Sequence, residues 1–275
     1  MMNENDNFEL MLNKLTKDVK SSVVTLSDTE ARYLVDTYYQ MQNYRVATSN
    51  QCRAMTKTGE EHETLAFFKN NFHVVENQIK VVLEAYIKTH KLWPWFESIY
   101  GVGPIIASGL VAHLDITKAP TAGHFQAYAG LDPTKKWEKN QKRPWNAELK
   151  TICWNLGECF RKFQNREECL YGQFYKERLA YEIEKNENLE YADQAAKNIK
   201  KLKKKNSPTY LANLEGKLSL GHLMSRSKRY AVKIFLSHLH YAMYVQHYGV
   251  EPPMPYAIAQ LGHAHLIECP NKHLL

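Results

Sequence analysis

Three groups of residues have types and spacings that could do chemistry. The first is Gly101-Val102-Gly103-Pro104, followed by an apolar run from Ile105 to Leu114 that holds the small residues Ala107, Ser108 and Gly109. Gly101 and Gly103 can take positive φ and admit a second backbone, and Pro104 suits the first turn of a helix, where its missing N–H costs nothing. The spacing predicts a tight hairpin aimed into a helix. The free N–H groups of Ile105 and Ile106, with the positive end of the helix dipole, would suit a phosphate. A packed helical corner without a ligand is the alternative, because short glycine motifs are unspecific.

The second group is basic. Lys135, Lys136, Lys139, Lys142 and Arg143 lie in one stretch with Trp137 and Trp145, and Lys150 follows one turn into the next expected helix. Such side chains release counterions from a phosphate backbone, and the interleaved indoles could stack on unpaired bases. The alternative is a solvated loop with its tryptophans tucked beneath it. Arg226, Arg229 and Lys233 recur at steps of three and four, as one stripe of a helix would. The run Lys197 to Lys205 reads as a solvated linker.

The third group is His238-Leu239-His240 with Tyr244 and Tyr248 behind it. Two imidazoles holding a metal beside a nucleophilic tyrosine is a strand-cleaving arrangement. It requires both histidines on one face, as alternate residues of a strand are. Here the apolar spacing is helical, so the two point about 200° apart and read as ordinary core or surface histidines. His263-Ala264-His265 has no third ligand spaced with it, and no pair among Asp115, Asp132, Glu148 and Glu158 is fixed by spacing. No metal, cofactor or catalytic residue is assigned.

These groups need elements to position them. Ser27 with Glu30 forms a capping-box pattern opening a helix through Leu34, Tyr38 and Met41 and on past Arg45, which the stretch Thr56-Lys57-Thr58-Gly59 breaks. Leu65, Phe68, Phe72, Val75, Ile79, Val82 and Tyr86 alternate steps of three and four, the seam of a coiled coil or long helical hairpin. The pattern leaves open whether that seam meets the preceding helix or the same helix of a second copy. Trp93 to Tyr100 would be the first helix of a helix-hairpin-helix element. A short helix around Phe125 has Gly130 as its C-cap, and Asn146 caps a helix with apolar face Leu149, Ile152, Cys153, Leu156 and Phe160. Further helices run from about Tyr171 to Glu187 and over residues 219–248. The fold class is mainly α. Its segments are a polar N-terminal stretch (1–27), a helical hairpin or coiled coil (28–92), a helix-hairpin-helix domain (93–165) and a helical C-terminal region with a basic linker (166–275).

The chain has 275 residues, 44% of them hydrophobic, with a net charge of +7 and a pI near 9.0. That balance favours an anionic partner, nucleic acid first, over an acidic small substrate. Five scattered cysteines, none in a C-x-x-C pair, support neither a disulfide framework nor a zinc finger. No apolar run reaches the ~18 residues of a membrane span, and the first residues lack the order of a signal peptide. An intracellular, cytoplasmic or nucleoid-associated protein is expected.

The order Gly101-Val102-Gly103-Pro104, a Pro/Thr/Ala/Gly loop, Ala127-Tyr128-Ala129-Gly130-Leu131-Asp132-Pro133, a basic strap and a helix resembles the C-terminal domain of the DEDD-type insertion-sequence transposases, whose better-known members are guided by a bridge RNA. The resemblance covers roughly 65–163, with the heptad helix similar to the coiled coil that precedes that domain. It implies a mobile-element or phage context and a helix-hairpin-helix grip on nucleic acid in an oligomer. Two features depart from the family: no α/β acid-bearing domain is expected before Leu65, and the strap from Lys135 to Lys142 has no serine where the family has its nucleophile. The His238, His240 and Tyr244 or Tyr248 set resembles the signature of HUH nickases.

The best-supported reading from sequence is thus a non-enzymatic binder of DNA or structured RNA, oligomeric through the Leu65 to Tyr86 helix and not membrane-bound. Its contacts would be Gly101, Gly103, Ile105, Ile106, the strap, Lys150, Arg226, Arg229 and Lys233. A nickase or recombinase, and a mobile-element-encoded protein-interaction factor, are the alternatives.

Overall fold

The computed structural model describes residues 15–60, 62–254 and 266–275, so the first part of the polar N-terminal stretch and the pair His263 and His265 lie outside the described residues. The described residues are mainly helical, with eleven α-helices and no strand among them. None of these helices is long and apolar enough to cross a membrane. The chain divides into two compact units: one takes in the chain up to Trp93 together with Gly103–Asp115, the other Pro94–Val102 and the chain from Ile116 onward.

In the first unit, α1 (Lys17–Ser21) leads into α2 (Asp28–Thr58) and α3 (Glu63–Thr89), and α5 (Pro104–His113) completes it. The Ser27 hydroxyl accepts from the Glu30 N–H at 3.3 Å while the Glu30 carboxylate accepts from the Ser27 N–H at 2.9 Å, closing the expected capping box. Gly59, at φ 74°, ends α2 in the left-handed conformation that costs glycine little. The two long helices pair antiparallel. Asp28 accepts from the Tyr86 hydroxyl at 2.7 Å at one end, and Tyr44 meets Phe72, ring centroids 5.4 Å apart, further along.

The apolar seam of α3 therefore meets α2 of its own chain. Val82 and Tyr86 are buried, Leu65, Phe72 and Ile79 are half-buried, and Phe68 and Val75 stay exposed. Within the pair sits Glu76, 5% exposed, bound by the Arg45 guanidinium and by Gln42 at 3.2 Å. Burial alone would raise its pKa, but those hydrogen bonds and the Arg45 charge hold the carboxyl below its ordinary value. The small residues of α5 allow close approach to the pair: Ser108 donates to the Leu83 carbonyl at 3.0 Å, and Arg32 donates twice to the Ala112 carbonyl, at 3.0 and 2.7 Å.

The second unit holds most of α4 (Trp93–Glu97), then α6 (Ala122–Tyr128), α7 (Ala147–Lys162), α8 (Leu170–Glu187), α9 (Ala192–Ile199), α10 (Pro208–Leu214) and α11 (Leu220–Tyr248). Its centre is α11, against which α6, α7 and α8 pack. The buried aromatic core joins Trp95 to Phe235 (5.9 Å between centroids), Phe160 to Tyr171 (5.0 Å) and Tyr171 to Phe235 (5.2 Å). At Gly157 a Cβ would lie 3.2 Å from Lys228 Cβ and 3.3 Å from Val232 Cγ2, so the bare glycine sets how closely α7 crosses α11.

Candidate nucleic-acid interface

The glycine hairpin is built differently from expectation at one residue. Gly101 takes φ 93°, but Gly103 is extended, φ −87° and ψ 171°, a backbone any residue adopts. The first helix is also shorter, ending at Glu97, with a turn closed by the Val102 N–H on the Ile99 carbonyl at 3.1 Å. Gly103 is exposed and supplies no side-chain cap to α5, and a Cβ there would meet nothing within 4 Å. The N–H groups of Ile105 and Ile106 fall in the first turn, where helix geometry provides no acceptor four residues back.

The turn after α6 is a Schellman motif. The Leu131 N–H donates to the Gln126 carbonyl at 2.9 Å and the Gly130 N–H to the Ala127 carbonyl at 3.0 Å, with Gly130 at φ 67°. Asp132 then accepts from the Thr134 hydroxyl (2.7 Å) and N–H (2.9 Å), which holds its carboxyl below the usual range. A Cβ on Gly130 would lie 2.8 Å from the Trp145 ring, so this glycine is where the far end of the strap is fastened. The Asn146 N–H donates to the Tyr128 carbonyl at 2.9 Å, and the Asn146 side chain caps α7 through the Leu149 N–H at 2.7 Å.

Between these anchors the strap is irregular and open. Lys135, Lys136, Lys139, Lys142 and Arg143 are all exposed. Trp137 is half exposed, its indole N–H donating to the Gln141 carbonyl at 2.7 Å with the Arg143 guanidinium 4.9 Å from the ring centroid. Trp145 is instead half-buried against Gly130, and the Lys150 amine lies 4.2 Å from its ring centroid.

The structure brings the end of the strap, α7 and part of the α11 stripe together. Burial of the Lys150 amine lowers its pKa, and the charges of Arg143 and Arg229 lower it further. Lys233 is lowered by burial and by Arg229, with Asp132 opposing. Arg143, Lys150, Arg229 and Lys233 thus form a like-charged group in which the arginine charges weaken proton binding at the two lysines. Arg226 borders this group at Arg229 but is itself engaged by an acid. Its guanidinium donates to Glu182 of α8 at 2.6 Å, beside Arg178 at 2.6 Å and the Tyr191 hydroxyl at 2.6 Å. Glu182 is fully buried. Burial would raise its pKa, yet the hydrogen bonds from Tyr191, Arg226 and Arg178 hold it below the ordinary value.

The histidine pair does not converge. His238 lies between the Tyr171 hydroxyl (2.8 Å) and the Ile267 carbonyl (2.9 Å), whereas His240 faces the Ala119 carbonyl at 2.8 Å. Both are buried, and burial lowers both pKa values. Glu158 is engaged by Lys228 and Arg161. Among the described residues no group of three His, Cys, Asp or Glu side chains is placed to hold a metal.

Sequence reasoning overlooked two residues here. Glu182, one carboxylate in a helix rich in charge, carries no local signal. Trp154 does carry one, because it falls outside the apolar face of α7, and it is 60% exposed with the Lys228 amine 5.4 Å from its ring centroid.

Comparison with known proteins matches residues 94–138 to the model of the Transposase IS116/IS110/IS902 family, so this segment is transposase-like. The match starts at α4 and ends within the strap, taking in the glycine hairpin and the Schellman turn. No curated protein and no solved structure matches the chain.

Proposed function

We propose that this transposase-related chain binds nucleic acid through the phosphate backbone, with Arg143, Lys150, Arg229 and Lys233 as the centre of the interface and Lys135, Lys136, Lys139 and Lys142 of the strap as its flank. The observation that carries the reading is the like-charged group itself. Two lysines, Lys150 and Lys233, whose protonation is opposed by burial and by the neighbouring Arg143 and Arg229 charges, make a site that an anion completes. The uncapped start of α5, at Gly103, Ile105 and Ile106, offers a further phosphate contact of the helix-hairpin-helix kind. DNA is the favoured partner, and structured RNA the other. Binding without cleavage fits a strap that carries no serine.

The exposed seam residues Phe68 and Val75, with Phe67 53% exposed beside them, support self-association of α3 in a homo-oligomer. A Phe68→Glu change would then reduce the mass measured by light scattering.

Gel shifts over duplex, single-stranded and branched DNA and structured RNA test the binding. About four neutralised phosphates imply roughly a hundredfold loss of affinity between 50 and 200 mM salt. Gly103→Glu, which the fold has room for, weakens binding without lowering stability. Affinity that ignores salt would refute the reading.

A further inference from the structure

We infer that the occupant of this interface is nucleic acid with unpaired bases, and that Trp154 and Trp137 are the surfaces on which those bases stack; the inference rests on the binding function proposed above. Tryptophan is normally among the more buried residues, because so much of its surface is apolar. Here two of the five are at least half exposed, Trp154 by 60% and Trp137 by 50%, and both belong to the unit that carries the cationic group.

Each ring has a cation beside it, and the Trp137 ring is also held by a hydrogen bond. The Trp137 indole N–H is fixed on the Gln141 carbonyl, with Arg143 4.9 Å from its centroid. Trp154 stands on the rigid helix α7, one turn beyond Lys150, with the Lys228 amine 5.4 Å from its centroid. Lys228 is itself tied to Glu158, and the close crossing at Gly157 keeps the two helices in register there. Trp145 shows the contrast. It is packed on Gly130 and lies beneath Lys150, so it serves the fold.

A ring on a defined backbone, open to solvent and flanked by cations is how sequence-tolerant single-strand binding works: the cations follow the phosphates while bases stack on the π faces. A closed duplex offers its phosphates but no free base face. The two occupants are therefore distinguishable by what the tryptophans contribute, since the charge contribution is common to both.

The test uses the full chain with two dye-labelled probes of equal phosphate number, an oligothymidylate and a blunt-ended duplex without loops, read by anisotropy and by intrinsic tryptophan fluorescence. The wild type should bind the single strand more tightly, and only the single strand should quench the tryptophans. Trp154→Ala should weaken the oligothymidylate about tenfold and leave the duplex unchanged, with Trp137→Ala acting in the same sense. Trp154→Phe, which keeps a π face, should recover part of the loss. Equal affinity for both probes, or a Trp154→Ala loss that is the same for both, overturns the stacking inference while leaving salt-dependent binding intact. So does a Trp154→Ala change that alters the oligomeric mass but not the affinity, which would make the ring a protein contact. If neither probe binds at any salt, this inference falls, and if branched DNA and structured RNA also fail, the proposed function falls with it.

Discussion

Two parts of one basic stripe on α11 have opposite surroundings. Arg226 binds the buried carboxylate of Glu182 and shares it with Arg178 and Tyr191, whereas Arg229, one turn on, feels Glu182 only at a distance and adds its charge to those at Lys150 and Lys233, the latter facing Asp132. Equal residue types at equal helical steps thus do unlike work. The first cation is part of an internal polar network, and the other two are left with surplus positive charge. What separates them is the neighbouring helix: α8 supplies an acid, while α7 supplies another lysine.

The difference is tested most severely at Glu182. Glu182→Ala removes the anion that Arg178 and Arg226 share, and breaking a buried pair in this way should cost about 3 kcal/mol in urea unfolding. The same loss arrives with acid. A carboxyl whose folded pKa lies below its unfolded value contributes stability above the unfolded pKa, near 4.3, and loses it as pH falls through the folded value. Stability insensitive to either change would put Arg226 among the solvated cations.

Gly130→Ala probes the anchor of the strap. It forces a left-handed φ on alanine and sets a Cβ 2.8 Å from the Trp145 ring, which should cost about 2 kcal/mol and displace Trp145 with Lys150 above it. A near-ultraviolet dichroism spectrum unchanged from the wild type would count against this anchoring role.

On the other side of the comparison, Arg229→Gln should weaken nucleic-acid binding about fivefold while leaving unfolding within about 0.5 kcal/mol of the wild type, because it relieves repulsion. Arg226→Gln should do the reverse, lowering stability with little change in salt dependence. Smallest is the effect of alkali. Lys150 and Lys233 have lowered pKa values, so the unfolded chain holds protons that the folded one has released. Folding stability should therefore rise slightly as pH climbs through the lowered values, while affinity falls earlier than ordinary lysines, near 10.4, would allow. A pH-independent affinity up to that range would argue that neither amine meets the ligand.

Much of the fold was legible because its signals are local. The Ser27 and Glu30 box, the α3 seam, Gly130 before a proline and the Asn146 cap are written within a few residues of one another, and each is where the structure has it. Gly103 departs from expectation because a glycine pair shows that positive φ is accessible, not which member uses it. α9 and α10 give no periodic signal, the end of α9 falls within the Lys197 to Lys205 run that reads as linker, and the expected first hairpin helix is too long, since short helices have too few turns for a period to register. The stripe of Arg226, Arg229 and Lys233 could not be divided from sequence, because Glu182 lies some forty residues before it and only packing of α8 on α11 joins them. For the same reason the strap and stripe read as separate basic surfaces, although Arg143, Lys150 and Arg229 share one neighbourhood.

The most direct measurement of the central claim is the slope of log affinity against log salt for the wild type and for Lys150→Ala/Arg229→Ala/Lys233→Ala, with Arg226→Ala beside them. The wild-type slope should be steep, about 0.9 per phosphate neutralised, become shallower by about 2 to 3 in the triple variant and stay unchanged in Arg226→Ala. Equal slopes for the wild type and the triple variant would contradict the central claim.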